Sequence, residues 1–278
     1  MEFKQICYEK DPETGIVQVT LNRPEIKNAL GILLLLDLYR AAESVENDET
    51  ASAMILTGAV SPDKTAPDQE AFSSGMYLDF SELESLDEET KQEVDLADIA
   101  QKRLCLKLWK INKPIVAAIN GLAIGGGFTI PLACADLIYM SEHAWVELPF
   151  VRLGLVPELA SSYLLPRMIG LQRTKEIMFF GERLSAERLY DLGLVNRVLP
   201  HGELLKFARE QTCKLIPPQG AGLAVSLSKE ILHKPMIEAV SRALDLENEG
   251  LNRGFGTADF MEALNARMEK RDPQFSGT

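Results

Sequence analysis

The chain shows two hydrophobic periods, one of about two residues and one near 3.6, and they divide it into elements. Residues 16–21, IVQVTL, alternate β-branched and polar side chains and predict a strand. LNRP breaks that strand, and residues 29–46 carry apolar positions at helical spacing. ASAMILTG, 51–58, predicts a second, buried strand stopped by Gly58. AVSPDKTAPDQE follows as a loop whose Pro, Asp and Ala content suits mobility. AFSSG leads into another turn, and 88–110 predicts one long amphipathic helix ending at WKINKP. KPIVAAIN, 113–120, is nearly continuously apolar, as expected of a strand covered on both faces. GLAIGGG then turns the chain into a helix of small residues, FTIPLACAD, followed by a strand in LIYMSE. Residues 153–169 open on GLVPELASSYL and predict a turn into a helix. Two short helices are expected over 175–195, a strand at NRVLP, and helices from Glu203 nearly to the end. The alternation through residue 200 predicts an α/β body, 1–200, with a helical C-terminal region, 201–278, divided at the PHG of 200–202.

Composition narrows the class. Hydrophobic content of 46% and charged content of 25% are those of an ordinary globular protein. Cys7, Cys105, Cys134 and Cys213 are scattered without a CxxC, which suits core thiols in a reducing compartment. His143, His201 and His233 share no ligand spacing, so no metal site is expected. MEFKQICYEK has neither the basic nor the apolar region of a signal peptide, and the apolar run Ile32 to Leu36 is too short to cross a bilayer. FSGT is not a peroxisomal address, and the expectation is a cytoplasmic protein without membrane association. The net charge of −12 argues against a non-specific nucleic-acid binder. Part of the acid is local, in residues 81–98, where Lys91 is the sole base. That segment reads as a solvated helix face, or more sharply as a mobile acidic cover over a pocket.

Two glycine turns carry the candidate chemistry. Within Asn120 to Phe128, three successive glycines sit at a strand-to-helix junction, where backbone can approach a ligand closely. The free N–H groups of the next helical turn point the same way and suit an anion or a developing oxyanion. Tight helix-to-sheet packing is the competing reason for such glycines. A dinucleotide fingerprint is excluded, because no GxGxxG follows the first strand. The second turn, FSSGM, combines with the first to offer the N–H groups of Met76 and Gly126 to one oxygen, as a thioester enolate requires. Ser73, Ser74, Ser161 and Ser162 lack a GxSxG elbow or a nearby histidine, so no serine triad is expected. His143 and His201 read as surface or capping groups.

LNRPEIKNAL, AFSSGM, KPIVAAINGLAIGGGF, PLACAD, GLVP, RLSAERLYDLGLVNRV and MEKRDPQF stand in the order found in the crotonase (enoyl-CoA hydratase/isomerase) superfamily. The chain resembles that superfamily over essentially its whole length. The resemblance implies a spiral of ββα turns with a helical C-terminal trimerisation region, forming a homotrimer or a dimer of trimers. It implies acyl-CoA substrates with no separate cofactor, coenzyme A being part of the substrate, and an oxyanion hole made by the Met76 and Gly126 N–H groups. Enoyl-CoA hydratases of this kind carry one glutamate in GGGxE and a second in a PE dipeptide. Here Thr129 and Phe150 stand in those places, and neither can deprotonate a water. Pro157-Glu158-Leu159-Ala160-Ser161-Ser162-Tyr163 is instead similar to the PEGxSSY of peroxisomal-type Δ3,Δ2-enoyl-CoA isomerases, whose catalytic glutamate matches Glu158. Leu159 and Ala160 depart from the small pair usual there.

One carboxylate suits a 1,3-proton shift, and Phe150, Leu155 and Val156 are expected to raise its pKa by desolvation. The resemblance further assigns Lys27 and Ala29 to coenzyme A, with Lys270, often contributed by a neighbouring subunit, near the 3′-phosphate. Arg267 stands where an aromatic residue is usual, and Tyr77 where many relatives have aspartate. Thr129, Phe150 and Tyr77 are expected in the substrate pocket, walled by the 77–110 segment. Two rivals accompany the isomerase reading. One is a hydrolase or dehalogenase using Glu158 as base or nucleophile, although glutamate is one methylene longer than the nucleophilic aspartate of aroyl-CoA dehalogenases. The other is a non-catalytic acyl-CoA-binding protein.

Overall fold

A computed structural model of the chain describes residues 3–61, 66–77, 84 and 86–278. Its strands form two sheets. The larger runs β1 (Ile6–Lys10), β2 (Ile16–Leu21), β3 (Ala53–Gly58), β5 (Ile115–Ile119), β7 (Leu137–Ser141), β10 (Arg197–Leu199). β1 is antiparallel to β2, and all later neighbours are parallel. The smaller sheet runs β4 (Ala71–Ser73), β6 (Leu122–Ile124), β8 (Trp145–Glu147), β9 (Leu184–Ser185), with only β9 antiparallel to its neighbour. β3, β5 and β7 thus lie in one sheet, and the strand after each of them lies in the other. Helices return the chain between these pairs, as parallel strands require. They are α1 (Ile32–Asn47) before β3, α2 (Glu88–Glu93) and α3 (Lys102–Lys110) after β4, and α4 (Gly126–Cys134) after β6. After β8 come α5 (Ser161–Ile169) and α6 (Leu171–Phe180). The arrangement is a spiral of ββα turns.

The apolar run of β5 has a direct cause. Ile115, Ala117 and Ile119 enter the main core, while Val116 and Ala118 enter a second cluster on the opposite face. That second face is covered by α8 (Leu204–Cys213), through Leu204 and Ala208. The boundary expected at 200–202 therefore precedes a helix that packs on the body. α7 (Ala186–Asp191) lies before β10, and α9 (Gly222–His233), α10 (Ile237–Phe255) and α11 (Ala258–Glu269) complete the chain.

The expected helix over 88–110 is two helices. Asp95 accepts the Ala97 N–H at 2.9 Å, and Asp98 accepts those of Lys102 and Arg103 at 2.7 and 2.8 Å. These aspartates offer the backbone partners other than the helical ladder, so the chain stops at Val94 and restarts after Gln101. The acidic segment 81–98 is not simply a solvated face where it is described. Asp87 caps α2 through the Thr90 N–H at 2.8 Å, Glu93 pairs with Arg40 at 2.9 Å, and Asp98 caps α3. Residues 81–83 and 85 of that segment, and 62–65 of the expected mobile loop, lie outside the described residues. No helix among the described residues is long and apolar enough to cross a membrane.

Candidate active site

β4 and β6 run parallel, with Ala71 beside Leu122 and Ser73 beside Ala123, so the two glycine turns that follow them emerge side by side. They pack backbone to backbone. A Cβ on Gly75 would lie 2.5 Å from the Ile124 carbonyl oxygen, and one on Gly127 2.5 Å from that of Ser73. Gly75 at φ 85° and Gly125 at φ 51° adopt backbone that side chains resist. Tight packing and an anion site were rival reasons for these glycines, and tight packing holds at Gly75 and Gly127. Leu30 bridges to Met76 by donating its N–H to the Gly75 carbonyl at 2.8 Å and accepting the Tyr77 N–H at 3.1 Å. That ladder leaves out the Met76 N–H.

Glu158 lies over this junction, its Oε1 2.9 Å from where a Cβ on Gly126 would be. The side chain is buried, and burial pushes its pKa up to about 8, helped by the negative charge of Glu247 and opposed by the Gly126 N–H. The expected rise thus has a second source besides apolar surroundings. The Glu158 carbonyl accepts the Ser161 N–H at 3.1 Å and the Ser161 hydroxyl at 2.7 Å, closing a turn. Leu159 and Ala160 within it have φ of 55° and 58°. Glu247, which the sequence reading passed over, is equally buried. It accepts the Ala160 N–H at 2.8 Å, the Ser162 N–H at 3.0 Å and the Ser162 hydroxyl. A signal for it existed: Val240, Leu244, Glu247, Leu251 and Gly254 form one buried stripe along α10, and a carboxylate in such a stripe demands partners.

A cavity of about 540 Å³ opens beside Met76. Ile32, Leu35 and Leu36 of α1, Leu96 and Ile99 of the α2–α3 break, and Phe255 and Phe260 near the C-terminus line it. The 77–110 segment contributes through its break, at Glu93 to Ile99, together with Gln101, Arg103 and Leu104 of α3's first turn. Thr129, Phe150 and Tyr77 are not among the lining residues. Thr129 is wholly buried and returns its hydroxyl to the Gly125 carbonyl at 3.3 Å, which satisfies it inside α4. Phe150 sits against Gly125, 3.7 Å from where a Cβ would be, and so packs on the first glycine turn rather than lining the cavity. The Tyr77 ring faces the Arg23 guanidinium at 5.4 Å.

The loop bearing Lys27 and Ala29 is stitched to the second turn: the Ser74 N–H donates to the Lys27 carbonyl at 2.9 Å, and its hydroxyl to that of Ile26 at 3.2 Å. Lys27 is exposed and Ala29 buried. Beneath them Asn28, with no exposed surface, donates to the carbonyls of Ala59 and Ala71 at 2.9 and 2.8 Å and accepts the Arg23 N–H at 2.9 Å. Asn28→Ala strands those groups and is expected to cost about 1–3 kcal/mol in denaturant unfolding. Lys270 is an exposed residue closing α11, whose Phe260 and Leu264 line the cavity.

The serines serve turns, as Ser161 and Ser162 above, or Ser73, whose hydroxyl accepts the Gly75 N–H at 3.2 Å. His201 joins the Ser141 hydroxyl at 3.1 Å to Glu70 at 3.2 Å. Ser141 is completely buried, which bars that row from acting as a triad. No group of three or more potential metal ligands occurs among the described residues.

The enoyl-CoA hydratase/isomerase family profile matches residues 11–278. A short-chain-enoyl-CoA hydratase of Clostridium acetobutylicum is 31% identical over 98% of this chain and 97% of its own. A 1,2-epoxyphenylacetyl-CoA isomerase of Escherichia coli is 29% identical over 95% of this chain and 96% of its own. Among solved structures, an enoyl-CoA hydratase/isomerase from Pseudoalteromonas atlantica superposes with a TM-score of 0.80 at 30% identity, covering 98% of this chain and all of that one. The profile match and the paired glycine turns agree: this chain is an enzyme of the enoyl-CoA hydratase/isomerase family, the crotonase superfamily.

Proposed function

We propose that the protein converts a 3-enoyl-CoA to the 2-enoyl-CoA by a 1,3-proton shift carried by Glu158. The supporting observation is the single carboxyl placed over Gly126 and held in a weakly acidic state. The C2 proton passes to the Glu158 carboxylate, the C2–H electrons form a C1=C2 bond, and the carbonyl pair moves onto the thioester oxygen to give a dienolate. Negative charge gathers on the thioester oxygen, where the Met76 and Gly126 N–H groups meet it. The same carboxyl returns the proton at C4: the oxygen pair restores C=O, the C1=C2 pair moves to C2=C3, and the C3=C4 pair takes the proton. When the thioester oxygen takes the Gly126 N–H, Glu158 loses the one interaction that lowers its proton affinity and becomes a stronger base as substrate binds.

Water addition needs a second free carboxylate, and hydratase names are common among the relatives. Thr129 and Phe150 cannot serve, and both Glu247 oxygens are engaged by α5 donors. The cavity, with its aliphatic and aromatic lining, suits an acyl chain, and Lys27, Ala29 and Lys270 are proposed contacts to coenzyme A, without another cofactor.

Purified protein given 3-hexenoyl-CoA in D2O is expected to yield 2-hexenoyl-CoA with deuterium at C2 and C4. 3-Hydroxyhexanoyl-CoA formed rapidly from 2-hexenoyl-CoA would restore the hydratase reading. Free CoA release without isomerisation would point to a hydrolase, and binding without turnover to a non-catalytic protein.

Copies of the chain are further proposed to associate, through the C-terminal helices. Leu223, Leu227 and Ile231 recur every fourth residue on α9 and are 75%, 49% and 72% exposed. Ile231→Glu is expected to lower the mass measured by sedimentation equilibrium.

A further inference from the structure

Glu158 stands on a turn that L-residues resist. Leu159 and Ala160 are consecutive left-handed residues, each costing about 1–2 kcal/mol relative to ordinary helical backbone. Such a turn persists only where its surroundings over-determine it. Ser161 fastens one side, through the Glu158 carbonyl. The other side is fastened from α10, 87 residues further on in sequence. Glu247 takes the Ala160 and Ser162 N–H groups on separate oxygens, adds the Ser162 hydroxyl, and so caps α5 from outside it. The same face of α10 presents Gly250 and Gly254. A Cβ there would lie 2.7 Å from a Val156 methyl and 3.0 Å from a Leu155 methyl, so the chain leading into Glu158 is seated on α10 as well.

We propose that Glu247 is a positioning residue for proton transfer: it locks the Leu159–Ala160 turn that aims Glu158 and places a negative charge behind it. The catalytic consequence rests on the isomerase reading above; the geometry does not.

The groups facing Glu247 are few. They are the α5 N-terminal donors, the Glu158 carboxyl, and, from α3, the buried Cys105 thiol, which burial, then Cys134 and then the Glu247 charge hold in its protonated form. Among the described residues no basic side chain adjusts its acidity. Burial raises Glu247 to about 7, against the pull of the Ser162 and Ala160 donors. With three donors on its oxygens, Glu247 is the member of the pair held ionised, and its charge makes Glu158 harder to deprotonate and a better base once it is.

The test reads Glu158 directly in substrate-free protein. Carbon-13-labelled glutamate carboxyls are followed by NMR against pH, with the Glu158 signal identified by its loss in Glu158→Gln. Glu247→Gln removes the charge and leaves one acceptor for two N–H groups. It is expected to lower the Glu158 midpoint by roughly one pH unit and to move the acid limb of kcat/KM with it. It is also expected to reduce kcat more than it raises KM. Glu247→Asp keeps the charge on a shorter arm, so kcat falls while the midpoint stays near that of the wild type. Should Glu247→Gln fail to fold, Ser162→Ala withdraws one donor only and is expected to raise the lower midpoint of the pair. A folded Glu247→Gln with unmoved midpoint and acid limb overturns the proposal, as does an unmoved lower midpoint in Ser162→Ala. A wild type that moves no double bond, yet shows the midpoint shift, would sink the isomerase reading and leave the Glu247–Glu158 coupling standing.

Discussion

Glu158→Gln is expected to lower kcat for a 3-enoyl-CoA by about 10²–10⁴-fold while leaving KM close to that of the wild type. Glutamine keeps the size and a polar oxygen near Gly126, so the turn and the cavity beside Met76 stay intact. It cannot accept a proton from C2, and among the described residues no other carboxylate is positioned to replace it. Glu247, the remaining buried acid of this region, spends its oxygens on Ala160 and Ser162. Oxyanion stabilisation by Met76 and Gly126 survives in the variant, so residual turnover above the uncatalysed rate is expected too. Steady-state kinetics with deuterium incorporation at C2 measures both effects. A variant retaining more than about a tenth of wild-type kcat would remove Glu158 from the proton path, since a general base contributes at least about 10²-fold.

The second large effect concerns stability and pH. Glu158 titrates at about 8 in the folded chain against an ordinary 4.5, so the folded state favours its protonated form. Its stabilising contribution is complete below about 4.5, where both states are protonated, and is lost as pH rises through about 8. Glu158→Gln removes that dependence. At pH 8.5 the variant should therefore be more stable than the wild type, by on the order of 5 kcal/mol, with the difference vanishing near pH 4. Urea unfolding of both proteins at the two pH values checks it. Carboxylates held low by hydrogen bonds and ion pairs, such as Asp48 and Glu262, act in the opposite sense as pH falls. They are common to both proteins and cancel in the comparison. Equal stability at pH 8.5 would mean that Glu158 is not desolvated in solution. Stability sacrificed to bury a base is the usual cost of a functional carboxyl.

The local chemistry of this chain was largely legible in its sequence. β2, β3 and β5 follow from runs of β-branched and apolar residues, because a strand covered on one or two faces permits little else. Gly75 and Gly127 mark places where backbone meets backbone, Gly126 faces the Leu30 and Glu158 side chains, and Gly125 holds a positive φ. Glu158 stood out because Thr129 and Phe150 occupy the positions where related hydratases carry acids. Some elements were hidden because their cause lies elsewhere in the chain. The break between α2 and α3 depends on Asp95 and Asp98 outcompeting the helical ladder, with Asn248 of α10 holding Asp98 at 2.9 Å. That break, rather than Thr129, Phe150 or Tyr77, supplies a wall of the cavity beside Met76. Glu247 lies far from Glu158 along the chain, and only the packing of α10 against the 154–162 turn makes them a pair. Sequence by itself determined which groups can do chemistry, since residue type and spacing fix donors, acceptors and turns. Tertiary structure decided what environment those groups meet, since burial and the charge of a distant carboxylate act through space and not along the chain.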